Sequence, residues 1–327
     1  MALKILGTGS YLPPQVVTND DLAKSLETSD DWIFSHTGIH ARHIAEEDDC
    51  TSTMATKAAR AAMEAAGVAP EEIGLIIVAT SSPDYNTFPS TACLVQAALG
   101  CPATGAYDLQ AACAGFVYAL DQARCWVKVN PSRKAIVIGS ETLSRVVDWR
   151  DRSSCILFGD GAGAVVLGDV PGEVGPGAHT VLWADGNGAG FISREGGARR
   201  RAEPGTVKIP YLVLQGHDVF AFAVRALSKV TNQLCEKLGT TPDRLDRVFA
   251  HQANGRIIEA VARRMKLPLE KFYLNLETTG NTSAASIPLA LDEAVRKGEL
   301  TDGMKIVLCG FGAGLTYAGT YMQWPHL

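Results

Sequence analysis

The sequence has no apolar run approaching the roughly 18 residues that a membrane-spanning helix requires, so no membrane segment is expected. Its eight cysteines (Cys50, Cys93, Cys101, Cys113, Cys125, Cys155, Cys235 and Cys309) include no CxxC pair. That excludes the common zinc and redox frameworks, and their scatter through apolar stretches reads as free thiols. The first residues, MALKILGTGSYLPP, pass directly into glycine and proline without the apolar core of a secretory leader. The expected location is therefore cytoplasmic. There is no excess of positive charge either: 30 Lys and Arg stand against 35 Asp and Glu, a net charge of −5. Bulk nucleic-acid binding is not expected, although a local basic patch is compatible with that balance.

What is present is a long chain with material for a core. Of 327 residues, 46% are hydrophobic and 20% charged. The length suits two domains or one large duplicated unit. Short β-rich runs (Leu75–Thr80, Ala135–Ser140, Arg247–His251, Lys305–Cys309) alternate with helical patterns over 51–67, 89–100, 219–239 and 283–298, each ending at glycine. The alternation predicts an α/β architecture with buried sheets. A faint repeat runs through it: the strand at Leu75 has a counterpart at Asp246 (246 − 75 is 171), and Ala135 has one at Lys305 (305 − 135 is 170). Each half then enters a glycine-rich run, Phe158–Gly163 and Phe311–Gly314. The expected division is residues 1–170 and 171–327. The glycine-rich stretch 168–205 between them carries Arg199-Arg-Arg201, expected to be a solvated loop.

Four segments carry chemistry. In Tyr107-Asp-Leu-Gln-Ala-Ala-Cys113-Ala-Gly-Phe, a strand gives way to a helix with Phe116, Leu120, Ala123 and Val127 on one stripe. Cys113 falls at the helix N-terminus, where free N–H groups favour a thiolate able to attack a thioester. The plain alternative is one more buried small hydrophobe. His251-Gln-Ala-Asn254 lies at the end of an apolar strand, a usual place for functional groups in α/β proteins. Gly280-Asn281-Thr-Ser-Ala-Ala-Ser286 alone would be only a helix cap. Gly310-Phe-Gly-Ala-Gly314 exposes backbone N–H groups suited to an oxyanion, and lacks the lysine of a nucleotide loop.

Taken together and in this order, the segments resemble those of the type III β-ketoacyl–acyl carrier protein synthases. Phe158-Gly-Asp-Gly-Ala-Gly163 and the stretch from Trp32 to Thr37-Gly-Ile39 are similar to the same family. The likeness runs from Leu3 nearly to the C-terminus. It implies the thiolase fold, with duplicated α/β halves in five αβαβα layers, and usually a homodimer. It implies condensation of an acyl-CoA primer with malonyl–acyl carrier protein, releasing CoA and CO2 and starting fatty-acid biosynthesis, with no metal or redox cofactor.

By position, the resemblance makes Cys113 the acyl-carrying nucleophile, with His251 and Asn281 donating to the malonyl thioester carbonyl. The N–H groups of Cys113 and Ala313 would form the oxyanion hole. Trp32 and Arg152 would flank the CoA adenine, and Thr37, Asn254 and Arg256 would line the tunnel with Phe220 and Phe311. Phe88 would reach the partner's acyl pocket, and Leu143 would help bound the primer. Arg256, Arg263 and Arg264 offer a docking face for an acidic carrier protein; a solvated helix face is the alternative for Arg263 and Arg264.

The sequence departs from the family pattern at His36 (commonly arginine), Ala221 (often lysine, with Arg225 one turn on), Thr279 (commonly aromatic or histidine) and Ala313 (frequently glycine). These bear on donor and acceptor identity, and keep open a secondary-metabolism condensing enzyme or acyltransferase of the same family. Cys, His and Asn in this order also occur in papain-like peptidases, but Ala112-Cys113-Ala114 lacks their context.

Overall fold

The computed structural model describes residues 2–170, 179–195 and 211–324. The Arg199–Arg201 triplet lies outside them. Two sheets form the frame. The first has five strands in the order Ala2–Tyr11, Gly161–Val170, Lys134–Glu141, Ile73–Ala79, Gly105–Leu109. The second has four, in the order Arg247–Ala250, Lys305–Gly312, Thr316–Gln323, His179–Ala184. Ile73–Ala79 is buried along its whole length and is parallel to both neighbours. A strand covered on both faces must read as a continuous apolar run, and this one does.

Helices fill the remaining layers. Thr51–Ala66 and Thr91–Leu99 pack Met54, Ala58, Ala62 and Val95 on the outer face of the first sheet. Gly216–Lys237 and Gly255–Met265 pack Leu227, Leu234, Ile258 and Val261 on the outer face of the second. Between the sheets lie Gly115–Val129 and Ser286–Arg296, whose Phe116, Leu120, Ile287 and Leu291 share one core with Ile77, Val137, Ile306 and Leu308. The arrangement is the expected αβαβα thiolase fold. Losing one fully buried side chain of that central layer, such as Phe116, would cost about 3–5 kcal/mol.

Helix ends follow local chemistry. The helix expected to open near Pro89 opens at Thr91, because the Ser90 hydroxyl caps Cys93 N. The expected helix from Ser283 is first a 3-10 turn, Ser283–Ala285, and only then an α-helix. That turn has a twin, Ala112–Ala114, ahead of Gly115–Val129. Ala112 and Ser283 both have φ of 48°, and their numbers differ by 171. The strands starting at Lys134 and Lys305 differ by the same amount. In the second half the counterpart of the edge strand Gly105–Leu109 shrinks to a single parallel bridge, Val248 to Phe272.

Candidate active site

The two turns meet at the floor of a cavity of about 520 Å³. Its walls include Cys113, His251, Asn281, Ser283, Ala313 and Leu143, with Phe220, Asn254 and Phe311 also on its surface. Three separate elements deliver the central groups: a turn before a helix, the end of the strand Arg247–Ala250, and the bend after the short helix Leu276–Thr279.

Cys113 sits inside the 3-10 turn, ahead of the α-helix rather than in its first turn. The sequence suggested a thiolate there. Burial opposes that expectation: desolvation pushes the thiol up to about 12, while the Ser283 hydroxyl pulls it down and the nearby Glu141 carboxyl pushes it up.

His251 is buried, and that burial alone lowers its pKa to about 3, so the ring is neutral. Nδ1 is 2.8 Å from Ser286 Oγ, which in turn is 2.8 Å from the Ser283 carbonyl. Nε2 is buried without a hydrogen-bond partner among the described residues. Asn281 accepts from Ser283 N through Oδ1 at 2.9 Å, which fixes its amide and leaves Nδ2 for another acceptor. Its backbone bonds Leu157 O and Gly159 N to the Phe158 loop. Gly280 makes the bend: φ is 66°, and a Cβ there would lie 3.0 Å from Arg42 Cβ.

The glycine loop comes very close to the nucleophile's backbone. A Cβ on Gly312 would stand 2.7 Å from Cys113 N. Thr316 Oγ1 lies 3.1 Å from both Ala111 O and Ala313 O, stapling the cysteine turn to that loop. Sequence reasoning missed Thr316, Ser286 and Glu141, since each acts through a partner that spacing does not reveal.

The outer residues are less uniform. Trp32 stacks on His36 with centroids 4.3 Å apart, and the Arg152 guanidinium lies over its ring at 4.5 Å. Those two are brought together as expected. Thr37 is buried, and its hydroxyl bonds Ile33 O and Ile39 N within its own helix end. Asn254 caps Arg256 N and donates to His36 O. Arg256 donates to Ser35 O and pairs with Glu259, so much of its charge is spent inside the chain. Arg263 and Arg264 are exposed, Arg263 within 3.7 Å of Glu259. Arg225 is exposed and Ala221 half-buried. Phe88 projects into solvent, 83% exposed. Among the described residues, no helix is long and apolar enough to cross a membrane.

Comparison with known proteins accounts for this geometry. Residues 107–186 match the model of 3-oxoacyl-[acyl-carrier-protein] synthase III, and residues 235–324 match the model of its C-terminal region. The beta-ketoacyl-[acyl-carrier-protein] synthase III of Caldanaerobacter subterraneus subsp. tengcongensis is 47% identical over 327 residues, covering 99% of this chain and 98% of the relative. The crystal structure of 3-oxoacyl-[acyl-carrier-protein] synthase III from Aquifex aeolicus superposes with a TM-score of 0.91 at 43% identity, over 99% of this chain and 100% of that one. The priming β-ketosynthase of the R1128 polyketide pathway superposes with a TM-score of 0.90 at 39% identity, over 99% and 96%. On this similarity and on the shared fold, the chain belongs to the β-ketoacyl–acyl carrier protein synthase III family of condensing enzymes.

Proposed function

We propose that this pocket performs a decarboxylative Claisen condensation of an acyl-CoA primer with malonyl–acyl carrier protein, starting fatty-acid biosynthesis. The observation that carries the reading is a neutral His251 and an immobilised Asn281 amide beside Cys113 in one cavity. Cys113 attacks the acyl-CoA carbonyl, CoA thiolate leaves, and the primer is held as a thioester. The malonyl group then enters, and His251 and Asn281 donate to its thioester carbonyl. For Nε2 to carry the proton in this step, the Ser286 hydroxyl turns from the Ser283 carbonyl, to which it donates in the structure, and donates to Nδ1 instead. Loss of CO2 leaves an enolate, whose carbon attacks the acyl-Cys113. Neutral donors suit a site where negative charge builds on oxygen away from water. The N–H groups of Cys113 and Ala313 serve the oxyanion of the acyl transfers. Decarboxylation itself supplies the carbanion, so the reaction calls for no metal or redox group.

The same reading takes residues 1–170 and 171–327 as the two halves. All strands of the five-stranded sheet fall between Ala2 and Val170, and all of the four-stranded sheet between His179 and Gln323. It takes Trp32 and Arg152 as the adenine clamp, which must part from each other to admit a base. It takes exposed Phe88 as a homodimer contact reaching the partner's acyl pocket, and Arg263 and Arg264 as the main docking charges, with Arg256 already engaged. Because Thr37 has its hydroxyl committed, its part in CoA binding is to hold the Trp32 helix end.

The deciding experiment supplies purified protein with malonyl–acyl carrier protein and a panel of acyl-CoA primers, and follows CO2 release and acyl-Cys113 by mass spectrometry. No CO2 with any primer would end the reading. His251→Ala and Asn281→Ala should reduce decarboxylation more than self-acylation. The likeness to a polyketide priming enzyme favours one alternative, a primer outside primary metabolism; the same panel separates the two by which acyl group loads.

A further inference from the structure

Among the described residues that line the cavity of about 520 Å³, Arg194 alone carries a charge, since His251 is neutral. It ends the short strand Ile192–Arg194, which pairs antiparallel with Leu212–Leu214. Directly opposite residues of such a pair share a face, and the register sets Arg194 against Leu212 and Ile192 against Leu214. All four line the cavity, while the intervening pair, Ser193 and Val213, is exposed.

The strand pair is fastened where the wall is apolar. Leu212 N donates to Val146 O at 2.9 Å, and the Leu212 side chain packs against the cluster that holds Leu143, Val146 and Phe158. A guanidinium beside Leu212 stands among apolar side chains, where a charge is costly unless acceptors meet it. Burial draws its pKa down from the ordinary arginine value. Arg194 has a partner within the chain, and a guanidinium, with five N–H donors in a fork, serves more than one acceptor at once. Arg194 and Val146 also line a second cavity of about 510 Å³, with Asp84, Asn86, Thr142 and Arg145 on its wall. The other two charged groups there are engaged: Asp84 accepts from Ser52 N at 3.0 Å, and Arg145 donates to Glu46 O and Asp49 O. Arg194 thus stands where the apolar wall of one cavity borders a polar neighbour.

We propose that Arg194 is a specificity-determining residue, and that the primer it selects carries a carboxylate at its far end: the CoA half-thioester of a dicarboxylic acid. The methylene chain lies against Leu143, Val146, Leu212 and Leu214, and the guanidinium takes the terminal carboxylate through two parallel N–H···O bonds. Such a pair discriminates well in a water-poor wall, because an alkyl primer of the same length leaves the donors facing hydrocarbon. Loading, decarboxylation and condensation proceed as above, and the product keeps its acid at the end remote from the new carbon–carbon bond. The reaction that supplies this primer must form a CoA thioester on one carboxyl of a diacid and leave the other free. The proposal rests on Cys113 as the acyl carrier and narrows the primer left open there.

The test gives the full chain matched primers of equal carbon count: succinyl- and butyryl-CoA, glutaryl- and pentanoyl-CoA, adipyl- and hexanoyl-CoA. Acylation of Cys113 is followed by peptide mass spectrometry over a range of concentrations, which yields kcat/KM for each primer. In wild type at least one acid primer should exceed its alkyl partner by about 10- to 100-fold. Arg194→Met should erase that ratio, and Arg194→Lys, which keeps the charge but not the fork, should retain part of it. A guanidinium that only reaches water through the polar cavity predicts alkyl primers ahead at every length in wild type. One that serves the CoA phosphates predicts equal losses for both members of each pair in Arg194→Met, with the ratio unchanged. Either result would overturn the assignment. Should Arg194→Met fail to fold, the wild-type ratios and Arg194→Lys decide. Acid primers that load Cys113 yet release no CO2 with malonyl–acyl carrier protein would sink the condensation reading and leave the assignment standing. Condensation from alkyl primers alone would do the reverse, and no loading from any primer would end both.

Discussion

Gly312 offers a direct test of how the site is built. Its missing Cβ would stand 2.7 Å from Cys113 N and 3.0 Å from Ala112 Cβ. Ordinary contact begins at 3.4 Å, so Gly312→Ala forces the strand and the cysteine turn apart by about 0.7 Å. Neither side yields easily: the strand Lys305–Gly312 is buried along nearly its whole length, and the turn leads into a helix packed between both sheets. Overpacking of this kind costs about 1–3 kcal/mol of stability. The larger effect falls on rate, since a displacement approaching 1 Å at a reacting group costs about 100-fold. The assay is single-turnover acylation of Cys113, with chemical denaturation in parallel. Gly186→Ala is the control, because nothing lies within 4 Å of its Cβ position and its φ is not left-handed; that change should move stability by less than about 0.5 kcal/mol. Acylation of Gly312→Ala at the wild-type rate would refute the claim that backbone proximity here serves catalysis.

Three further outcomes follow. The folded-state pKa of His251 is about 3 against an ordinary 6.5, so the unfolded chain takes up a proton that the folded chain resists; its contribution to stability is complete above pH 6.5 and lost as pH falls toward 3. Wild type should therefore lose more unfolding free energy than His251→Gln between pH 7.5 and pH 5 in urea titrations, and parallel losses would contradict a buried neutral ring. Thr316→Val removes the hydroxyl joining Ala111 O to Ala313 O, and should cost about 1–2 kcal/mol and slow acylation; a silent substitution in denaturation and in acyl transfer would show that the staple carries no energy. Leu143→Phe narrows a cavity wall that is 3% exposed, and should shift the preferred primer toward shorter acyl chains in competition assays; an unchanged preference would place the end of the acyl chain elsewhere.

The readable part of the site was the part written as contiguous motifs. Cys113, His251 and Asn281 each stand in a short segment whose strand-to-turn context is local, and the structure brings all three to one cavity. The partners were illegible because their contacts are long-range: Ser286 meets His251 across 35 residues and Thr316 meets Ala111 across 205. The thiol's surroundings were illegible for a physical reason. A helix start argues for a thiolate through its dipole, but it says nothing of how much water the site loses, and here that desolvation pushes the other way. The contacts of Thr37 were equally hidden, since a hydroxyl looks the same in sequence whether it faces solvent or closes its own helix. The fold was easier. Fully apolar strand runs and glycine stops are local signals, and they located the strands and most helix ends to within a few residues.

The repeat showed only faintly because duplication kept the frame and divided the chemistry. Apolar strands 171 residues apart still look alike, since both bury two faces. The positions at the centre do not. Cys113 answers to Ala284, Ala112 to Ser283 and Gly312 to Glu141, each pair on equivalent turns or strand ends. One copy carries Cys113, and its turn is approached by a residue with no side chain, Gly312, whose Cβ position lies 2.7 Å from Cys113 N. The other copy carries a hydroxyl, and its turn is approached by a buried carboxyl. Divergence at these few positions, on a frame that brings both turns to one cavity, is why the repeat fades where the two halves meet.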